Sequence, residues 1–123
     1  MNGIDFLIDT NIAIYILEGY PVPKGMMHCS VAVSVISEME LLGRKGITTK
    51  AEDAINNLLS DCEILPFSHN IKETTIALKK QFTVKLPDAI IAATAKHYNI
   101  PLVTADKDFK KLEGVVNVII LDI

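Results

Sequence analysis

The side chains in this sequence that could do chemistry are carboxylates. Asp9 ends the short apolar run Ile4-Asp5-Phe6-Leu7-Ile8, and Asp88 follows Pro87 at the head of an almost wholly apolar segment. Asp106 and Asp108 precede Phe109 in a turn, and Glu38 and Glu40 share one helical stretch. Each has an ordinary explanation. Asp9 can cap the helix after it, Asp88 suits the positive end of a helix dipole, and one of Asp106 and Asp108 can be a turn cap while the other is solvated. Taken together they say more. A cluster of carboxylates inside a covered sheet repels itself unless a cation is present, and their hard oxygens suit magnesium or manganese. Such ions activate water and polarise phosphoryl oxygens, so the chemistry indicated is phosphodiester hydrolysis.

Other catalytic chemistries find little support. His28, His69 and His97 show no His-Glu-x-x-His or other zinc spacing, and there is no glycine-rich phosphate loop. A receiver-like domain phosphorylated on aspartate would need paired acids after its first strand, and Asp9-Thr10-Asn11 offers none. Cys29 and Cys62 are isolated from any Cys-x-x-Cys pattern and are expected to be reduced, buried thiols with a structural role.

The elements that must position the acids alternate between strand and helix. Ile4–Ile8 reads as a strand that stops at the turn- and cap-forming Asp9-Thr10-Asn11, and Ile12–Leu17 as a buried helix. His28–Val33 is rich in β-branched residues and leads to Ser34, a cap for a helix running to Arg44. Thr49-Lys50-Ala51-Glu52 has capping-box spacing and opens a helix ending near Asp61. Ile64–Phe67 is a third strand, and Ser68 precedes an amphipathic helix carrying Ile71, Thr75, Leu78 and Phe82. Pro87 opens the next helix, whose body, Ala89–Ala93, is apolar on every side and therefore deeply buried. Leu102–Thr104 and Val115–Leu121 finish as strands around a short helical piece at Asp106–Leu112.

This alternation implies a mostly parallel sheet covered on both faces, with any ligand beyond the carboxyl ends of the strands. Asp9 and Asp106 meet that rule directly. Glu38 and Glu40 lie about 200° apart around their helix. Both border its apolar face, so periodicity does not choose between them.

The chain has 123 residues, of which 50% are apolar and 22% charged, which suits one domain spanning 1–123 with a substantial core. No apolar stretch approaches the roughly 20 residues of a membrane span. Met1-Asn2-Gly3-Ile4-Asp5 carries no basic stretch before a long apolar run, so a cytoplasmic location is expected. The net charge of −3 at first argues against a nucleic-acid partner, but a metal site contributes negative charge that its cations later offset. Lys79, Lys80 and Lys85 precede Asp88, and Lys107, Lys110 and Lys111 flank Asp106. They can rim an acidic centre or simply solvate helix faces.

At four places the residues resemble the PIN domain, and specifically the VapC-type toxin of bacterial and archaeal VapBC toxin–antitoxin pairs. These are Phe6-Leu7-Ile8-Asp9-Thr10-Asn11, Ser34 through Gly43, Leu86 through Ala93, and Val103 through Phe109. Their order and separations make the likeness specific, and it covers nearly the whole chain. It implies an α/β, flavodoxin-like three-layer sandwich with a mostly parallel sheet of four to five strands. It implies a ribonuclease with Mg2+ or Mn2+ held by Asp9, Glu40, Asp88 and Asp106, with Glu38 as a rival to Glu40. Thr10 and Thr104 match hydroxyl positions that assist the site, Asn11 a polar position that braces the first acid, and Asp108 an acid that supports the fourth. The likeness further implies a homodimer and a VapB-like antitoxin protein partner that silences the groove. A non-catalytic PIN-like module that binds RNA or protein would require loss of one or more acids, and all are present.

Overall fold

The structure, a computed structural model, describes residues 3–123 and all of their side chains except that of Met27. Met1 and Asn2, the start of the stretch read above for an export signal, lie outside the described residues. Five strands form one sheet: β1 (Phe6–Ile8), β2 (Val31–Ser34), β3 (Glu63–Leu65), β4 (Leu102–Thr104) and β5 (Val118–Ile120). Their spatial order is β3-β2-β1-β4-β5, and every neighbouring pair is parallel. Helices α1 (Thr10–Leu17), α2 (Val35–Leu42), α3 (Thr49–Ser60), α4 (His69–Gln81) and α5 (Leu86–Tyr98) make the crossovers, and 3-10 turns occupy Met26–His28 and Lys107–Leu112. The expected α/β sandwich with a parallel sheet is what the chain forms. Among the described residues no helix is long and apolar enough to cross a membrane.

The strands lack polar alternation because both faces of the sheet are covered. Leu7 pairs with Ala32 and Leu102, and all three belong to a core beneath α4 and α5 that also holds Ile71, Leu78 and Ile91. One residue on, Ile8 pairs with Val33 and Val103, and these face the opposite core, with Ile12, Leu41, Ile55 and Leu59. The period-two alternation of a strand therefore distributes successive apolar residues between two cores. In α5 every residue from Ala89 to Ala95 is buried, as its all-round apolar composition predicts. Small alanines let this helix lie close to both the sheet and α4.

Boundaries differ from the sequence reading for local reasons. The helix expected to start at a Thr49 cap is capped by Thr48, whose Oγ1 accepts the Ala51 amide at 3.1 Å. Glu52 then falls one position too late for the reciprocal bond of a capping box. Residues Met26–His28 curl into a 3-10 turn, so β2 begins at Val31 rather than His28. Helix α2 stops at Leu42, with Gly43 as its cap, short of Arg44. Strand β3 ends at Leu65 because Pro66, next in line, has no amide to give the ladder. The Val115 and Val116 amides bond back to the Leu112 carbonyl, which holds both residues in the connection and delays β5 to Val118. Both cysteines are free thiols as expected, but neither is fully buried: Cys29 is exposed and Cys62 half-buried. The turn at Met26–His28 carries Cys29 to the surface instead of into a strand.

Candidate metal centre

The strand order reverses beside β1, where the chain goes on to β2 on one side and β4 lies on the other. Connections leave the two strands on opposite faces there and open a crevice at their carboxyl ends. Asp9 follows β1 immediately, and Asp106 follows β4 after Ala105. The first turn of α5 brings Asp88, and the last turn of α2 brings Glu40. Asp9, Thr10, Asn11, Ile14, Glu40 and Asp88 line an open cleft of about 270 Å³. A second, larger cleft of about 730 Å³ is lined by Asp88, Asp106 and Asp108 with Lys79, Lys85 and Lys111. Asp88 belongs to both and is the hinge between them.

Asp9 is 3% exposed and is held as a helix cap, with Oδ1 accepting the Ile12 amide at 2.9 Å. Its other oxygen, Oδ2, accepts from the Thr104 hydroxyl at 2.5 Å. Thr104 Oγ1 in turn accepts the Asp106 amide at 3.1 Å, so one buried hydroxyl links the residues that end β1 and follow β4. The cap explanation for Asp9 is thus correct and incomplete, because only one of its oxygens serves the helix. Burial pushes the Asp9 carboxyl above the usual carboxylate range; the Thr104 and Ile12 bonds oppose this, and the charges of Asp88 and Asp106 add to it. The Asp88 carboxyl is raised too, by burial first and then by Asp106 and Glu40, with Lys85 pulling the other way and Asp108 adding a further push. No ion pair relieves Asp9 among the described residues.

Of the two glutamates, Glu40 stands with Asp9 and Asp88, while Glu38 does not line their cleft. Glu40 Oε1 accepts from the Thr10 hydroxyl at 2.6 Å, and Ser37 Oγ lies 2.9 Å from the same Thr10 oxygen. Thr10 has a single hydroxyl proton and gives it to Glu40, so Ser37 must donate to Thr10. The chain Ser37 to Thr10 to Glu40 aims the glutamate into the cleft. Ser37 is completely buried and was not singled out from the sequence. Its place three residues before Glu40, about 60° away around the helix, was the signal available.

Asn11 lines the cleft but makes no hydrogen bond to Asp9; Thr104 and the Ile12 amide do the bracing instead. Asp106 Oδ1 accepts the Asp108 amide at 2.9 Å, the cap bond of the 3-10 turn at Lys107–Leu112, so Asp106 is the turn cap of the two. The Asp108 carboxylate pairs with Lys111 Nζ at 2.9 Å. Lys80, Lys107 and Lys110 do not line either cleft.

Among the described residues no three or more His, Cys, Asp or Glu side chains are gathered tightly enough to hold a metal ion as they stand. The acids line two clefts that share Asp88, without converging on one point. All are hard oxygen donors, and a buried carboxylate with no cationic partner is one of them. That set fits a small divalent cation that keeps several of its own waters, as magnesium does.

A model of the family described as PIN domain matches residues 6–115, which include every acid discussed. Among curated proteins no sequence matches the chain. Solved structures do. The chain is similar to a toxin–antitoxin complex from Klebsiella pneumoniae at 31% identity, covering 94% of this chain and 96% of that one, with a TM-score of 0.72. It is similar to a member of the VapBC family of toxin–antitoxin systems from Mycobacterium tuberculosis at 25% identity, with 97% and 98% coverage and a TM-score of 0.65. A VapBC complex from Rickettsia felis, bound to a promoter DNA fragment, shares the fold at 22% identity, 97% and 100% coverage and a TM-score of 0.81. With the family model spanning most of its length and the acids standing at the strand-order reversal, the chain belongs to the PIN domain family.

Proposed function

We propose that this chain is a divalent-metal-dependent endoribonuclease and the toxin of a type II toxin–antitoxin pair. The observation that carries the reading is the placement of Asp9, Glu40, Asp88 and Asp106 along two clefts that meet at Asp88, with Asp9 3% exposed and without a cationic partner among the described residues. Carboxylates kept this close without a counter-ion raise each other's pKa and weaken the fold. A bound divalent cation supplies charge neutralisation at the phosphoryl oxygens and lowers the pKa of the attacking water. In this reading Asp9, Glu40, Asp88 and Asp106 hold the cation, with Mg2+ or Mn2+ the natural choices for an all-oxygen set. Thr104 keeps Asp9 turned toward the crevice and ties it to the Asp106 backbone; Thr10 and Ser37 do the same for Glu40. The reaction adds water across a phosphodiester: the water oxygen bonds to phosphorus and the ribose oxygen leaves with a proton. No side chain forms a covalent bond with the substrate.

The likeness to a toxin–antitoxin complex supports a VapB-like antitoxin as partner, and a homodimer and a cytoplasmic location belong to the same proposal. An antitoxin arginine suits the crevice because its planar fork can pair with carboxylates. Incubation with total cellular RNA and Mn2+, followed by mapping of the ends, tests the activity. Discrete cuts that chelator abolishes are expected. Intact RNA with folded, metal-loaded protein would instead favour a non-catalytic binding module.

A further inference from the structure

The two clefts that meet at Asp88 are electrostatically unequal. The one bounded by Asp9, Thr10, Asn11 and Glu40 has no lysine in its lining. The other receives Lys79 from α4, Lys85 from the α4–α5 connection and Lys111 from the 3-10 turn after β4, and the half-buried Phe82 adds an aromatic surface. Two of these lysines also shape the cleft. Lys79 Nζ donates to the Val84 carbonyl at 2.6 Å, and Lys111 Nζ donates to the Thr83 carbonyl and pairs with Asp108. The connection at Thr83–Val84 is therefore held from both sides by ammonium groups. Lys85, next along, makes no hydrogen bond or ion pair through its ammonium among the described residues, and its charge acts on Asp88. It is free to meet a ligand anion.

From this asymmetry we infer that the substrate strand is gripped on one side of the scissile bond only, its flanking phosphates lying in the cleft of Lys79, Lys85 and Lys111. The inference rests on the nuclease reading of the acids and adds where the polyanion runs. A nucleic-acid backbone next to four carboxylates is repelled unless cations meet it. On the Asp9–Glu40 side only a bound metal could do so, whereas on the Lys85 side three lysines stand against the cleft's own Asp88, Asp106 and Asp108, with Lys111 already paired to Asp108 and Lys85 left to face a phosphate. Single-stranded nucleic acid is the occupant that fits, because a lysine-lined groove tracks the backbone while an aromatic ring receives a base.

The test compares two double variants of equal charge change, K79Q/K85Q in the cleft and K107Q/K110Q on the 3-10 turn outside it. Binding of a fluorescein-labelled single-stranded RNA, kept intact by chelator, is followed by anisotropy across a salt series, with thermal melting of each variant alongside. Loss of two phosphate contacts on a single strand flattens the slope of log affinity against log salt by about 1.4. That flattening is expected for K79Q/K85Q and not for K107Q/K110Q. Equal behaviour of the two variants overturns the inference. So does preferential binding of a labelled poly-aspartate peptide over RNA, which would make the cleft a protein-docking groove. Because Lys79 also holds a carbonyl, the single variant Lys85→Gln, with about half the slope change, guards against a merely structural effect. RNA cutting with indistinguishable variants refutes the lysine grip alone; the expected slopes with no cutting in Mn2+ refute the nuclease reading alone.

Discussion

Thr104 and Asp9 lie 95 positions apart in the chain, yet the threonine hydroxyl donates to Asp9 Oδ2 at 2.5 Å inside the sheet. Thr104 is completely buried, so nothing else can replace that bond without rearrangement. Thr104→Val keeps the shape and removes the donor. Leaving a buried carboxylate oxygen unpaired costs about 1–3 kcal/mol, which denaturant unfolding of the metal-free protein will register. Thr104→Ser should recover most of the loss and of the RNA cleavage; if Val and Ser variants unfold alike, the hydroxyl carries no weight.

Ser37 and Glu40 should be coupled through Thr10. Ser37→Ala removes a donor from a chain whose end is the glutamate, with a net effect of about 1 kcal/mol on stability. In a double-mutant cycle with Glu40→Gln, we expect a coupling of at least about 0.5 kcal/mol in Mn2+ affinity. Strict additivity would mean that Ser37 only fills space.

Crowded acids make the metal-free fold sensitive to pH in a defined direction. The folded-state pKa values of Asp9 and Asp88 are raised, so the folded protein binds protons more tightly than the unfolded chain. Stability then falls as pH rises from the ordinary carboxylate value of about 4 through the raised folded values, and is regained on acidification through that window. The melting temperature of chelated protein should therefore increase on going from neutral toward mildly acidic pH. Asp9→Asn should flatten this dependence. Mn2+ at a hundredfold excess over its Kd should stabilise the neutral protein by about 2.7 kcal/mol, near 10 °C for a domain of this size. A chelated protein that melts highest at neutral pH would contradict the crowding.

Helix α5 carries Asp88 on a rigid base because its body is packed on all sides. Ala92→Leu adds volume where there is none to spare and should cost about 1–3 kcal/mol by denaturant titration. Ala54→Leu, on the exposed face of α3, should stay within about 0.5 kcal/mol. Equal effects at the two positions would disprove the packing described for α5.

Much of this architecture was legible in the residues because its determinants are local or periodic. Unbroken apolar runs such as Phe6–Ile8 mark strands covered on both faces, and the all-round apolar body of α5 marks burial. Ser34 and Ser68 cap the helices they precede. Thr48 and Thr49 carry the same hydroxyl, and what separates them is the backbone, extended at Thr48 and helical from Thr49 on. Glu38 and Glu40 are equivalent in helical spacing, and what separates them is a partner from another element, Thr10. The lysines divide likewise. Lys79, Lys85 and Lys111 meet in one cleft because the α4–α5 connection passes beside the turn after β4, a tertiary fact without sequence periodicity.

Calorimetric titration of the intact protein with Mn2+ reaches the core of the account most directly, without relying on any substrate. Wild-type protein should bind Mn2+ at neutral pH, and Asp9→Asn, Glu40→Gln, Asp88→Asn and Asp106→Asn should each weaken it by at least about tenfold, or 1.4 kcal/mol, while remaining folded. A folded wild-type protein that binds no Mn2+, or four variants that bind it as tightly as the wild type, would contradict the assignment of these carboxylates to a metal centre.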